Sequence, residues 1–102
     1  MVSNDAAKQT AQQDDPRLAA GLYLRGLRET AGLSQKELAS RIGLSYYTFI
    51  SQIESGKGRI PSERYAAWAE ALGQDPRDFA VRMLSFYEPH THALIFGDQA
   101  SA

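Results

Sequence analysis

Cysteine is absent from this chain of 102 residues, which excludes a disulfide framework, a thiolate metal site and a cysteine nucleophile. Long apolar runs are missing too. None approaches the roughly 18 residues that cross a bilayer, so no membrane partner is expected. The opening stretch, MVSNDAAKQTAQQDDP, has neither the basic n-region nor the apolar h-region of a secretion signal, which makes the cytoplasm the expected compartment. Histidine occurs only as His90 and His92. Their His-x-His spacing has no Cys or further His beside it, so no metal site is expected. The body of the chain offers no carboxylate pair and no nucleophile–base arrangement, so neither an enzyme nor a cofactor is expected.

An excess of positive charge is also lacking. The formal net charge is −1, which argues weakly against a nucleic-acid binder. The sum hides an asymmetry. Residues 17–64 carry eight basic groups against Glu29, Glu37, Glu54 and Glu63, a net of +4. Residues 1–16 carry −2 and residues 65–102 carry −3. Positive charge is therefore concentrated in one segment, where contacts to an anionic partner would need it. Hydrophobic content of 43% and charged content of 23% are ordinary for a single soluble globular domain.

Residues 1–16 are polar, Gln- and Asp-rich and without apolar periodicity, and are expected to form a disordered arm. Asp15-Pro16 is an N-cap followed by proline at N1, so a first helix is predicted from there to about Ala31, with Ala20, Leu24, Leu27 and Ala31 on one face. Gly32 stops it. Ser34-Gln-Lys-Glu37 is a capping-box pattern opening a second helix to Ile42, with Leu38, Ala39 and Ile42 inward. Gly43 supplies the positive φ of a tight turn. A third helix is predicted from Ser45 or Tyr46 to Ser55, ended by Gly56. A fourth is capped by Ser62 and runs to Leu72, and a fifth runs from Asp75-Pro76 to about Tyr87. Five helices without a strand pattern predict an all-α domain over residues 17–88. The tail, residues 89–102, contains Ala93-Leu-Ile-Phe96, which either packs on the domain or pairs as a short strand across a dimer axis.

The third helix carries the most information. Tyr46, Phe49, Ile50 and Ile53 fall at i, i+3, i+4 and i+7, one inward face. The opposite face then shows Tyr47, Thr48, Ser51, Gln52 and Ser55, polar but uncharged, whereas a plain solvated helix usually offers Glu and Lys. Neutral hydrogen-bonding side chains suit base edges: Gln can bond adenine N6 and N7 together, Ser and Thr bond several edges, and a Thr methyl can touch thymine. Basic groups flank this face. Gln35 and Lys36 start the second helix, where free amides favour a phosphate, and Lys57 and Arg59 follow the third helix in a glycine-flanked loop that can drape along a backbone.

These segments, LSQKELASRIGL and ISQIESGKGRIPS, resemble the lambda-repressor-like, Cro/cI-type (XRE) helix-turn-helix domain of prokaryotic and phage transcriptional regulators. The resemblance spans roughly residues 20–85 and implies a compact five-helix DNA-binding fold. It implies that Gln35 bonds a phosphate and braces the recognition helix, that Tyr47, Thr48 and Gln52 occupy base-reading positions, and that Arg28 and Glu54 form a partly buried structural ion pair. The family usually has one residue fewer between the turn glycine and the I-x-x-I-E ending. Counting from Glu54 places the extra residue around Leu44–Tyr46, which leaves Tyr46 as either a core residue or a wedge at the groove. The expected function is a sequence-specific regulator, a repressor in the leading reading, binding double-stranded DNA in the major groove as a homodimer on an inverted repeat. The alternatives are an autoregulating antitoxin with a toxin or anti-repressor as protein partner, and an interaction module that has lost DNA.

Overall fold

A computed structural model describes residues 15–97, and every regular element among them is helical. The predicted arm lies outside the described residues except for its last two, Asp15 and Pro16. These open α1 (Pro16–Thr30): the Asp15 carboxylate accepts from the Arg17 amide at 3.0 Å, and the proline occupies the first helical turn. α2 (Gln35–Arg41) carries the reciprocal capping box, with the Glu37 amide donating to Ser34 Oγ at 3.0 Å and the Ser34 amide donating to Glu37 Oε1 at 2.8 Å. α3 (Thr48–Glu54), a 3-10 turn (Ser62–Arg64), α4 (Tyr65–Ala71) and α5 (Pro76–Tyr87) complete the body. Asp75 caps α5 by accepting from the Asp78 amide at 3.0 Å.

Four of these helices end in the same way. After α2, the Gly43 amide bonds Ser40 O and the Leu44 amide bonds Ala39 O; after α3, the Gly56 amide bonds Ile53 O and the Lys57 amide bonds Gln52 O. Each is a Schellman cap, whose pivotal residue must adopt positive φ; Gly43 has φ 78° and Gly56 φ 84°. Gly32 and Gly73 close α1 and α4 by the same pair of bonds. The chain thus reverses direction where glycine permits it, and the helices fold back on one core.

That core contains Leu24 of α1, Leu38 of α2, Ile50 and Ile53 of α3, Trp68 of α4, and Phe79 and Met83 of α5, all essentially inaccessible to solvent. Ile60, in the loop after α3, is fully buried as well, and its amide donates to the Tyr87 hydroxyl at 3.2 Å. Gly21 sits where α1 crosses the end of α3. A Cβ there would lie 2.3 Å from Glu54 O and 2.6 Å from Ile53 O, so only glycine lets the two backbones approach this closely.

Several expectations are corrected. α3 starts at Thr48, two or three residues later than predicted, because the six residues between Arg41 and Thr48 form the connector. Tyr46 is therefore not on the helix. Its side chain is 78% exposed, and Phe49, predicted inward, is 36% exposed at the edge of the apolar stripe. Ala31 is an exposed C-cap and Leu27 is only half-buried. Ser62 begins a 3-10 turn after Pro61 and makes no side-chain cap bond. The helix count also rises beyond five: a one-turn α6 (Pro89–His92) follows Glu88 and runs into a π-helical turn (Ala93–Gly97). Ala93–Phe96 is consequently helical rather than a strand, and Leu94 and Ile95 remain exposed.

Candidate nucleic-acid interface

One carboxylate fixes the orientation of α3. Arg28 of α1 donates from Nε to Glu54 Oε2 at 2.7 Å and from Nη2 to Glu54 Oε1 at 3.0 Å, a bidentate pair with side-chain exposures of 11% and 5%. The third guanidinium nitrogen, Nη1, donates to Leu33 O at 2.8 Å in the α1–α2 turn. Gln35 of α2 donates from Nε2 to Glu54 Oε1 at 3.1 Å. Glu54 therefore ties α1, α2 and α3 together at one point, with every charge partnered, as a buried ion pair requires. The hydrogen bonds that Arg28 donates to Glu54, outweighing the cost of burial, hold its guanidinium still more firmly protonated than an ordinary arginine.

The outward face of α3 then follows from helical geometry. Ile50, Ile53 and Glu54 are buried, while Thr48, Ser51 and Gln52 are exposed, with Ser55 exposed just beyond the helix end. A polar cleft of about 300 Å³ runs along this side, lined by Arg25, Arg28, Gln35, Ser51, Glu54 and Ser55. It brings together Gln35 of α2 with Ser51 and Ser55, although the Ser55 hydroxyl is occupied in donating to Gln52 O at 3.1 Å. Arg25, which sequence reasoning did not single out, shares the cleft while paired with Glu29 at 3.1 Å. Its signal was available: it lies three residues before Arg28, on the same helical face.

The basic flanks differ from one another. Lys36 comes to the start of α3, its ammonium 5.5 Å from the centroid of the Tyr47 ring. Tyr47 itself is 42% exposed and occupies the N-cap position of α3 without a side-chain cap bond. Lys57 is exposed. Arg59 is engaged within the fold: its guanidinium stacks 4.5 Å from the Tyr87 ring and donates to Glu88 Oε2 at 3.3 Å. Burial pushes the Tyr87 phenol above its ordinary 10.0, so it stays a neutral acceptor for the Ile60 amide. Arg59 thus clamps the loop after α3 to the end of α5 and is not a free cation.

A family model described as a helix-turn-helix domain matches residues 19–81, from α1 into α5. The chain belongs to that family. Its helix-turn-helix is α2, the Gly43 turn with its connector, and α3, and the family's XRE/Cro-like character agrees with the resemblance carried by the sequence motifs. The domain is that of a DNA-binding regulator. No curated protein and no solved structure matches the chain. Among the described residues no cluster of His, Cys, Asp and Glu could hold a metal ion, and no helix is long and apolar enough to cross a membrane.

Proposed function

We propose that the protein is a sequence-specific transcriptional regulator, acting as a repressor, that places α3 of its helix-turn-helix in the major groove. The observation that supports this most directly is the uncharged, exposed face of α3, held by a buried ion pair instead of by solvent-facing charges. Tyr47, Thr48, Ser51 and Gln52 read base edges, with Gln52 suited to adenine. Lys36 and Lys57 contact phosphates on either side. Gln35 has a second amide hydrogen and a carbonyl oxygen beyond its bond to Glu54, and bonds a phosphate while bracing α3. Arg59 shapes the loop first and contacts a phosphate only in addition. One short helix reads few base pairs, so the protein binds as a homodimer to an inverted repeat in the cytoplasm, its half-sites about one helical turn apart.

Selection of the full-length protein on random duplexes tests this. A symmetric enriched motif is expected, and Gln52→Ala should relax it at one position per half-site, by about 1–3 kcal/mol of discrimination. No enrichment, or a variant that loses equal affinity for every sequence, would contradict the reading. A second reading, an autoregulating antitoxin, draws on the exposed Leu94 and Ile95 of the last helical turn, which would cover a protein partner. Light scattering of the protein without residues 90–102 separates the two uses of that surface. A fall from dimer to monomer assigns it to self-association, and an unchanged mass leaves it to a partner.

A further inference from the structure

We infer that Tyr46 reads the C5-methyl group of a thymine in the major groove, adding one apolar contact to the polar set on α3. The inference rests on the DNA-binding reading above and goes beyond it by naming a base feature and the side chain that detects it. Tyr46 is 78% exposed, more than any other large apolar side chain among the described residues. It stands in an unbroken run of exposed residues, Ser45 to Phe49, that leads directly into α3. The chain has five tyrosines. Tyr23 and Tyr65 pack on Phe86 and Phe79, Tyr87 carries the Arg59 guanidinium, and Tyr47 lies under Lys36. Of the five tyrosines, all among the described residues, Tyr46 alone has no ring, cation or side-chain hydrogen-bond partner.

The local sequence gives up helix stability to keep aromatics here. The N-cap position of α3 holds Tyr47, where Ser, Thr, Asp or Asn would bond the free amides, and Tyr46 precedes it. Tyr47 at least carries Lys36 on its ring, whereas Tyr46 gains nothing from the fold, and a costly local choice with no return within the fold points to function. The ring's chemistry selects the target. Tyr46 has no positive charge for a phosphate, and Lys36 supplies that charge beside Tyr47. Nor does Tyr46 belong to the neighbouring cleft lined by Ile42, Leu44, Phe49, Pro61, Arg64 and Trp68, so its ring stands apart from that apolar surface. In the major groove the one apolar feature of a base edge is the thymine methyl, and an aromatic ring is a known partner for it. The phenol hydroxyl remains in water, as such amphipathic rings favour.

The test uses the full-length protein on the duplex that random selection returns, with each thymine replaced in turn by deoxyuridine, which differs only in the methyl group. For the wild-type protein one thymine per half-site should matter, with affinity falling about fourfold per methyl lost, or ~0.8 kcal/mol at 1.4 kcal/mol per decade. Tyr46→Phe should keep this sensitivity. Tyr46→Ala should bind thymine and uracil duplexes equally, at about the affinity of wild type for the uracil duplex. Because the side chain is exposed, both variants should melt with the wild type, so a lost contact is not confused with a lost fold. A wild-type protein indifferent to every methyl, or a Tyr46→Ala variant with the wild-type pattern of sensitivity, overturns the inference and leaves the DNA reading intact. If Tyr46→Ala changes the mass in solution while DNA binding is unaltered, the residue belongs to a protein contact and the inference fails. Absence of any enriched duplex overturns the DNA reading itself.

Discussion

Gly21 and Gly26 lie in the same helix, five residues apart, and the same substitution should act on them with opposite sign. At Gly26 a Cβ meets nothing within 4 Å, so Gly26→Ala gains the helix preference of alanine, about 1 kcal/mol at most. At Gly21 that gain is offset by a clash. The new Cβ would fall 2.3 Å from Glu54 O, more than 1 Å inside the 3.4 Å at which ordinary contact begins, and the neighbour is backbone, not a side chain that can rotate away. Overpacking of this kind costs about 1–3 kcal/mol, at the upper end where backbone must move. Gly21→Ala should therefore be destabilised by about 1–2 kcal/mol net, a fall in Tm of roughly 5–15 °C for a domain of this size. The displacement would separate α1 from α3 at the Arg28–Glu54 pair, so DNA affinity should drop with stability. Thermal denaturation followed by circular dichroism measures both variants. A Gly21→Ala protein that melts at or above wild type would refute the close approach on which the placement of α3 depends.

Other perturbations act on named bonds. Glu54→Ala leaves the Arg28 guanidinium buried without its partner and should cost about 3–5 kcal/mol in urea denaturation, seen as a lower midpoint with an unchanged slope; a shift below 1 kcal/mol would show the pair to be dispensable. Tyr87→Phe removes the acceptor of the buried Ile60 amide and should cost about 1–3 kcal/mol, with wild-type stability arguing that the bond is not formed in solution. The Ser34 backbone amide, and then the Ser34 side chain, hold the Glu37 carboxyl below its ordinary 4.5. A depressed pKa of this sign means a contribution that is complete above the ordinary value and is lost as pH falls through the lowered one. Glu37→Gln should accordingly flatten part of the acid limb in a plot of Tm against pH, and an acid limb as steep as that of the wild type would count against the capping box.

Much of this architecture is readable before any coordinates. Gly32, Gly43, Gly56 and Gly73 mark the ends of four helices because a Schellman cap makes a local demand on one residue, and local demands leave local signatures. Asp15-Pro16, the Ser34–Glu37 box and Asp75-Pro76 mark starts for the same reason. Of the two readings of Tyr46, the core one fails because periodicity assumes that a residue is on the helix; with α3 starting at Thr48, a spacing of four from Ile50 carries no information about its direction. Gly21 reads in isolation as a weak point of α1, and only the backbone of α3, distant in sequence, explains it. Arg59 looks like a free loop cation until Tyr87 and Glu88 are brought to it by the packing of α5. The helical turn at Ala93–Gly97 is not legible in the sequence, because four apolar residues are too few to establish a period.

The claim at the centre is that α3 and its basic flanks meet duplex DNA. Its most direct test is the affinity of the full-length protein for duplex DNA over a range of salt concentrations, alongside Lys57→Gln. The account predicts that log affinity falls linearly with log salt, by about 0.9 for each phosphate neutralised, and that the variant's slope is shallower by about one. A response flat in salt, or no binding at the lowest salt, would contradict it.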